Sequence, residues 1–383
     1  MSPLVPYALA RRRPFSVDMF QLVTLIALGA SVYGAVVPDL GDTQRVFDVQ
    51  AHRGDRGNTI ENTIPAFAQA LIDGATTLEL DNAVTKDGVP VVWHDERIDA
   101  TKCLDTRPVE EEDPMFPYVG KNIANLTLAQ VKTLDCGSQR LSAFPLQVLY
   151  PGARISSMKE VFDFVGCVDK SRKMQWNIES KVNPLLANAT LPYEEFVRAQ
   201  YDAFTASSYP PQSITFQSFD WATLEFMKSL DSKILRSALA DASTTRGANG
   251  VYPWLGGVSL DDFNGTTHGE RVAQAAASLN VQVLSPGAAA HAEPGPYFTT
   301  QAMVTQAHRL GLLVKPWTVN NLTVASDLIE YGVDGIISDY SDHLRRMIQL
   351  QGQRVSQRYP KKRVNACLEE HAASWKSSGA ELA

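Results

Sequence analysis

The chain has 383 residues, of which 44% are hydrophobic and 20% are charged. This is the composition of an ordinary folded protein with a sizeable core. Its formal net charge of -7 gives no electrostatic reason to expect nucleic acid or an anionic membrane surface as a partner. Any anionic substrate must therefore be captured by local positive charge.

The N-terminus has the order of a secretory signal. Three arginines at 11–13 precede an apolar stretch at 19–30, and small residues follow around Gly34. This order predicts that residues 1–37 are a signal peptide and propeptide-like N-terminus and that the chain is secreted. An uncleaved signal anchor is the alternative, because the apolar stretch read through Val37 approaches membrane-spanning length. No later segment is long and apolar enough to span a bilayer, so we expect no stable membrane span in the mature chain.

Cysteines and glycosylation sequons agree with export. We expect the four cysteines to pair as Cys103–Cys136, around an atypical stretch, and as Cys167–Cys367. Four buried free thiols are the alternative. Asn-x-Ser/Thr triplets predict N-glycosylation at Asn125, Asn188, Asn264 and Asn321.

Strand-like and helix-like runs alternate after residue 45, which indicates a parallel α/β fold. The predicted strands are 45–51, 76–83, 89–94, 174–181, 213–217, 233–239, 281–285, 312–318 and 335–339. The predicted helices are 63–73, 157–165, 194–204, 222–229, 270–278, 300–310 and 323–331. We therefore expect a TIM-type (β/α)8 barrel over residues 45–350, a fold that commonly takes about 250 residues or more as one domain. The strand list is one longer than the barrel needs, and 233–239 or 281–285 is the expected extra strand.

One segment breaks this alternation. Residues 96–154 carry five prolines, an acidic cluster and two cysteines. We interpret the segment as a small insertion after the third strand, held by its disulfide, with a short helix at 127–133. A disordered loop is the alternative. Residues 351–383 are expected to form a C-terminal helix and tail.

The first candidate site residues follow the first strand. His52 and Arg53 come directly after residues 45–51. In barrel enzymes the functional residues lie at the carboxyl ends of the strands, because those ends open onto the catalytic face. Glu61, at the start of the next helix, is a secondary candidate that could orient Arg53, join a metal shell or cap its helix.

The second and fourth strands carry carboxylates on one face. Glu79 and Asp81 alternate with leucines, so both point the same way while the leucines pack against helices. Glu179 and Lys181 repeat this arrangement. Like charges at such short range are unfavourable unless a cation or proton intervenes. Three carboxylates without cysteine or histidine suit one hard cation, Ca²⁺ or Mg²⁺, better than Zn²⁺.

The third strand ends at His94. Together with His52 it supplies two imidazoles that can change protonation near neutral pH. Phosphodiester cleavage needs such a pair, since one base deprotonates the attacking oxygen and one acid protonates the leaving alkoxide. Arg53 and Lys181 can hold the non-bridging phosphate oxygens.

These residues, in this order, resemble the signature of the glycerophosphodiester phosphodiesterase family. The motifs are His52-Arg53-Gly54, Glu61-Asn62-Thr63, Glu79-Leu80-Asp81, Thr85-Lys86-Asp87-Gly88, His94-Asp95, Glu179-Ser180-Lys181, Ser218-Phe219-Asp220, Pro316-Trp317-Thr318-Val319-Asn320 and the run 332–339. The resemblance covers roughly residues 48 to 345. Asn82 stands where a valine is frequent and Ser180 where an apolar residue is frequent.

The resemblance implies a TIM-type barrel with catalytic histidines His52 and His94. It also implies a Ca²⁺ or Mg²⁺ site formed by Glu79, Asp81 and Glu179, and phosphate contacts from Arg53 and Lys181. Trp317 and Phe219 are expected to line the substrate pocket, with core packing as the alternative.

The expected partner is a small-molecule phosphodiester. Water would split a glycerophosphodiester into glycerol 3-phosphate and an alcohol such as choline, ethanolamine or inositol. One rival is the related phospholipase D type of barrel, which acts on sphingomyelin or lysophospholipids. The other is a non-catalytic secreted binding protein that keeps the fold.

Overall fold

The computed structural model describes residues 46–186, 188–289 and 295–377. The predicted signal peptide at 1–37 lies outside the described residues. The strands are β1 (Asp48–Ala51), β2 (Thr77–Val84), β3 (Pro90–Val92), β4 (Gln175–Ser180), β5 (Ile214–Ser218), β6 (Leu235–Ala240), β7 (Val283–Pro286), β8 (Leu313–Val314) and β9 (Gly335–Ser338). The α-helices are α1 (Ile64–Asp73), α2 (Leu128–Val131), α3 (Met158–Val168), α4 (Tyr193–Ala206), α5 (Trp221–Leu230), α6 (His268–Ser278), α7 (Gln301–Arg309), α8 (Leu322–Glu330), α9 (Ser341–Leu350) and α10 (Lys361–Ser377).

The strands form a parallel barrel in the order β8-β7-β6-β5-β4-β2-β1-β9. Backbone hydrogen bonds from Asp334 N to Val314 O (2.8 Å) and from Ile337 N to Pro316 O (3.0 Å) link the β9 region to the chain around β8. The ring of strands is therefore nearly closed, and the predicted TIM-type (β/α)8 architecture is confirmed.

The extra strand is the one at 90–92. β3 pairs antiparallel with β2, with Val92 opposite Asn82. A tight turn joins them, in which Thr85 Oγ1 accepts from Val89 N at 3.0 Å and Gly88 has a φ of 77°. A parallel connection would need a dozen or more residues, so this short turn permits only a hairpin. The expectation that 233–239 or 281–285 lies outside the barrel is therefore wrong, since these residues form β6 and β7.

Helices cover the outside of the barrel at all seven predicted positions, and α9 follows β9 where no helix was predicted. Several begin at a capped residue: Ser157 and Thr267 each form a capping box with the glutamate three residues later. The main core lies between strands and helices. Leu78, Leu80 and Trp176 are fully buried there, which leaves the alternate residues of β2 and β4 facing the barrel interior.

The insertion at 96–154 is folded around its own small core. Ile98, Tyr118 and Ile123 are almost completely buried. A disulfide joins Cys103 to Cys136 across it. This pairing is the one expected from the sequence, and the local packing excludes a disordered loop.

The C-terminal helix α10 lies beside α1 and α3. Cys367 of α10 forms the second expected disulfide with Cys167 of α3, and Arg363 donates to the Cys167 carbonyl at 3.2 Å. Among the residues that the structure describes, no helix is long and apolar enough to cross a membrane.

Candidate active site

Three carboxylates converge inside the barrel mouth. Glu79 and Asp81 lie on one face of β2, and Asp81 is directly opposite Glu179 in the β2–β4 register. All three are buried, with 1%, 0% and 7% of their surface exposed. One oxygen from each lies within 4.8 Å of the others. The three predicted metal ligands are thus brought together in the geometry of a possible cation site.

The electrostatics of this cluster favour a cation. Burial, together with the charges of Asp81 and Glu179, raises the pKa of Glu79 well above its ordinary value. Burial also raises the pKa of Glu179 to about 7, although Lys181 lies 2.7 Å from its carboxylate. Oδ1 of Asp81 is buried without a hydrogen-bond partner. An oxygen-ligated divalent ion would relieve the repulsion and engage this orphaned oxygen.

Two groups fix the orientation of Glu79. Its Oε2 accepts a hydrogen bond from the backbone N–H of Arg53 at 2.8 Å, where Arg53 has a φ of 51°. Its Oε1 accepts from Gln217 Nε2 at 2.9 Å. A non-glycine residue at positive φ is held there by its surroundings. The turn after β1 therefore directs a backbone donor at the carboxylate cluster.

His52 begins this turn and is held by a carboxylate from the adjacent strand. Its Nδ1 lies 2.5 Å from Oδ1 of Asp339, which directly follows β9. Asp339 also lies 2.9 Å from Arg56 Nε and accepts from Asn320 Nδ2 at 2.7 Å. Burial acts to raise the pKa of Asp339, but His52 and Arg56 lower it to about 2. Asp339 therefore remains a carboxylate and holds the ring.

His94 reaches the mouth by a different route from the one predicted. His94 does not follow a barrel strand, because β3 is the antiparallel hairpin partner of β2. β3 runs back along β2, so that Trp93 N donates to Asp81 O at 3.1 Å. Nδ1 of His94 then lies 2.6 Å from Oδ1 of Asp95, and its Nε2 is 3.1 Å from Lys181 Nζ. Burial, with the charges of Arg53 and Lys181, lowers the pKa of His94 to about 4.

The two imidazoles share one arrangement. Each ring directs Nδ1 at an aspartate, while Nε2 of His52 faces Arg53 Nε at 3.3 Å and Nε2 of His94 faces Lys181. From this hydrogen-bond network we assign the proton to Nδ1 in both rings. Each Nε2 then has a lone pair available for proton transfer.

Arg53 and Lys181 place positive charge on both sides of the carboxylate cluster. Arg53 Nε lies 3.2 Å from Asp81 Oδ2, and its NH1 donates to Glu61 Oε1 at 3.1 Å. Glu61 therefore orients Arg53, which is one of the three roles that the sequence allowed for it. Glu61 is not among the three grouped carboxylates, and its pKa falls to about 2 because Arg53 and Lys102 outweigh the effect of burial.

Two aromatic rings stand beside Lys181. Phe219 and Trp317 contact each other edge to face with centroids 5.3 Å apart, and Lys181 Nζ lies 5.9 Å from the centroid of Phe219. Both rings are only partly buried, so they form a wall at the mouth rather than part of the sealed core.

The structure thus brings the predicted histidines, cations, carboxylates and aromatics to one opening. Sequence reasoning missed five residues that hold them: Arg56, Asp95, Lys102, Gln217 and Asp339. Asp95 and Asp339 lay inside quoted motifs and at or near strand ends, a signal that could have identified them. Gln217 ended the predicted strand 213–217 and so carried the same strand-end signal, whereas Arg56 and Lys102 carried no comparable signal.

A parallel barrel with titratable groups gathered at the carboxyl ends of its strands is the layout of a TIM-barrel enzyme. The family model described as the glycerophosphoryl diester phosphodiesterase family matches residues 52–343. The chain belongs to this family, which confirms the resemblance drawn from its motifs.

Individual relatives agree. The chain is 27% identical over 306 residues to the glycerophosphodiester phosphodiesterase of Caldanaerobacter subterraneus, covering 79% of this chain and 98% of the relative. A Silicibacter pomeroyi structure given the same family assignment superposes with a TM-score of 0.65 at 26% identity, covering 82% of this chain and 96% of that one. An Oleispira antarctica phosphodiesterase in complex with the product sn-glycerol-3-phosphate shares the fold, with a TM-score of 0.55 at 22% identity over 80% of this chain and 97% of that one.

Proposed function

We propose that this protein hydrolyses glycerophosphodiesters to glycerol 3-phosphate and an alcohol, by paired histidine acid–base catalysis beside a divalent cation. The observation that carries the proposal is the arrangement of His52 and His94. Each is held through Nδ1 by a carboxylate, and both lie at the mouth that holds the buried carboxylates. Membership of the family supplies the substrate class.

The histidines divide the proton transfers between them. One Nε2 withdraws the proton from the attacking hydroxyl or water, and the other imidazole, once protonated, donates to the leaving alkoxide oxygen. Burial lowers the pKa of both rings in the free protein. A bound phosphodiester anion acts in the opposite direction, because a nearby negative charge favours the imidazolium. Substrate binding therefore helps to charge the ring that serves as acid.

Glu79, Asp81 and Glu179 would hold the cation, either Ca²⁺ or Mg²⁺. When bound, it would neutralise charge that develops on the phosphoryl oxygens. Arg53 and Lys181 would hold the non-bridging oxygens from either side, and Phe219 with Trp317 would line the space beyond Lys181.

We also propose that the chain is secreted and glycosylated. Both disulfides favour an oxidising compartment. Each of the four sequon asparagines is exposed, as attachment of a glycan requires. The signal-like N-terminus is consistent with this destination.

The test is release of glycerol 3-phosphate from glycerophosphocholine by the purified protein, with Ca²⁺, with Mg²⁺ and with a chelator. His94→Ala should abolish release. His343→Ala is the matched control, because this histidine lies on α9 with about half of its side chain exposed, 48%. Sphingomyelin and lysophosphatidylcholine are assayed in parallel. Turnover of these lipids without turnover of the water-soluble diester would overturn the proposal in favour of the phospholipase D type of activity.

A further inference from the structure

The insertion places one lysine side chain in the active site. Lys102 lies in its first turn, where Asp99 O accepts hydrogen bonds from Lys102 N and Cys103 N, both at 3.0 Å. The next residue, Cys103, is bound to Cys136. Only 14% of the Lys102 side chain is exposed. The lysine is thus anchored at its backbone and directed inward.

Two carboxylates share the ammonium group of Lys102. Its Nζ lies 2.7 Å from Asp95 Oδ2 and 2.8 Å from Glu61 Oε1, and 5.5 Å from the centroid of Trp93. Asp95 uses its other oxygen, Oδ1, to hold His94. A short charge-assisted bond on one carboxylate oxygen limits rotation of the whole group. Lys102 therefore restrains the carboxylate that orients His94.

The second carboxylate, Glu61, is connected to the other histidine, His52, through further charged side chains. Glu61 accepts from Arg53 NH1 at 3.1 Å and from Arg56 NH1 at 3.3 Å. Arg56 Nε in turn lies 2.9 Å from Asp339 Oδ1, the oxygen that holds His52. Lys102 is therefore the point at which the two histidine–aspartate pairs are joined through charged side chains.

We propose that Lys102 is a positioning residue of the active site, and that the disulfide-held insertion is part of the catalytic architecture because it delivers this lysine. The reaction affected is the one given under the proposed function, so this inference rests on that function. Since two carboxylates already engage the ammonium, Lys102 restrains side chains rather than binding the phosphate.

Kinetics separate positioning from substrate binding. Lys102→Met should lower kcat about 10- to 100-fold, the usual effect of removing a residue that orients a functional side chain, and change KM by less than about twofold. Lys102→Arg keeps the charge and should recover most of kcat. Lys159→Met is the matched control, since Lys159 is 81% exposed and pairs with Asp163 on α3. A raised KM with unchanged kcat would show that Lys102 contacts the substrate, and an unchanged kcat and KM would remove any role; either result overturns the inference.

A second measurement does not depend on activity. Long-range ¹H–¹⁵N NMR reports both nitrogens of each histidine ring, and the His94 signal is identified by its loss in His94→Gln. Lys102→Met should shift this signal, and Lys159→Met should leave it in place. Lys102→Gln replaces the methionine variant if that protein does not fold. If the wild-type protein released no glycerol 3-phosphate, the proposed function would fail while the NMR comparison still decided this inference, and an unmoved His94 signal would overturn it.

The disulfide gives an independent check. Cys103→Ser with Cys136→Ser removes the link next to Lys102, while Leu104 and Asp135 keep their two backbone hydrogen bonds of 2.8 and 3.0 Å. We expect kcat to fall in this variant and to fall little further when Lys102→Met is added, because both changes act on the same contact. Fully additive losses would contradict the view that the disulfide acts through Lys102.

Discussion

Replacing Asp339 by asparagine should disable His52 without removing any atom of the ring. The carboxylate offers an acceptor on both sides: Oδ1 faces His52 Nδ1 at 2.5 Å and Oδ2 accepts from Asn320 Nδ2 at 2.7 Å. An amide offers an acceptor on only one side, because its nitrogen is a donor. If its oxygen faces His52, its NH2 meets the NH2 of Asn320. Asn320 cannot turn freely, since its oxygen accepts from Asp339 N at 3.0 Å and from Ser338 Oγ at 3.3 Å.

In the other orientation the amide NH2 faces His52. The ring must then accept at Nδ1 and carry its proton on Nε2, so the lone pair needed for proton transfer is lost and the N–H points at Arg53 Nε. A carboxylate-to-amide change that imposes the wrong tautomer on a catalytic histidine costs up to about 10,000-fold in kcat. We expect a loss of about 100- to 10,000-fold for Asp339→Asn, which corresponds to about 2.7 to 5.4 kcal/mol of activation free energy.

The assay is steady-state release of glycerol 3-phosphate, with the melting temperature measured on the same sample. Asp342→Asn is the control, because Asp342 lies three residues further on and contacts Asn58 and the half-exposed His343 rather than His52. A loss below about threefold in Asp339→Asn, from a folded protein, would refute the argument that the tautomer of His52 depends on this carboxylate.

Three further predictions concern the cation and the buried acids. Added Ca²⁺ or Mg²⁺ should raise the melting temperature by binding the folded state, and Asp81→Asn should abolish the rise; a rise that persists would place the ion elsewhere. Gln217→Leu removes the donor to Glu79 Oε1 and should weaken cation binding by about 10- to 100-fold in a calorimetric titration, whereas unchanged affinity would show that Glu79 needs no such support. Burial, with the charges of Asp73 and Asp342, raises the pKa of Asp55 to about 8. The folded state therefore retains a proton that the unfolded state releases above about pH 4. The contribution of Asp55 to the free energy of unfolding is fully present below about pH 4. It is lost as the pH rises through 8, by at most about 1.4 kcal/mol per pH unit. Asp55→Asn should flatten this slope in urea unfolding between pH 5 and 8, and an unaltered slope would contradict the assignment.

Much of the fold follows from local patterns in the sequence. Alternation along β2 and β4 placed Glu79, Asp81 and Glu179 inside the barrel and the leucines outside, and the structure has this arrangement. Capping residues such as Ser157 located helix starts to within about one or two residues. These features depend on side chains near each other in the chain.

Such local patterns did not show whether a strand runs parallel or antiparallel to its neighbour. The run at 89–94 has the composition of a barrel strand, and hydrophobicity does not distinguish a parallel neighbour from an antiparallel one. The four-residue turn ending at Gly88 was the informative feature, because no crossover fits in that length. The correction matters for function, since the hairpin is what returns His94 to the level of Asp81.

The supporting residues were the least accessible part of the site. Lys102 contacts Glu61 across 41 positions of sequence, and Asp339 contacts His52 across 287. Such pairings are set by the closure of the barrel and by the course of the insertion, which no local periodicity encodes. Motifs therefore identified the groups proposed to do chemistry and also contained Asp95 and Asp339, while the pairing of these two carboxylates with their histidines required the structure.

The most direct test of the proposed activity is ³¹P NMR of glycerophosphocholine incubated with the purified protein and a divalent cation, because it identifies which bond to phosphorus breaks. We predict that the diester resonance is replaced by that of glycerol 3-phosphate, and that neither His52→Ala nor His94→Ala produces this change. Appearance of phosphocholine instead, or an unchanged diester in the presence of folded protein and either cation, would contradict the proposed function.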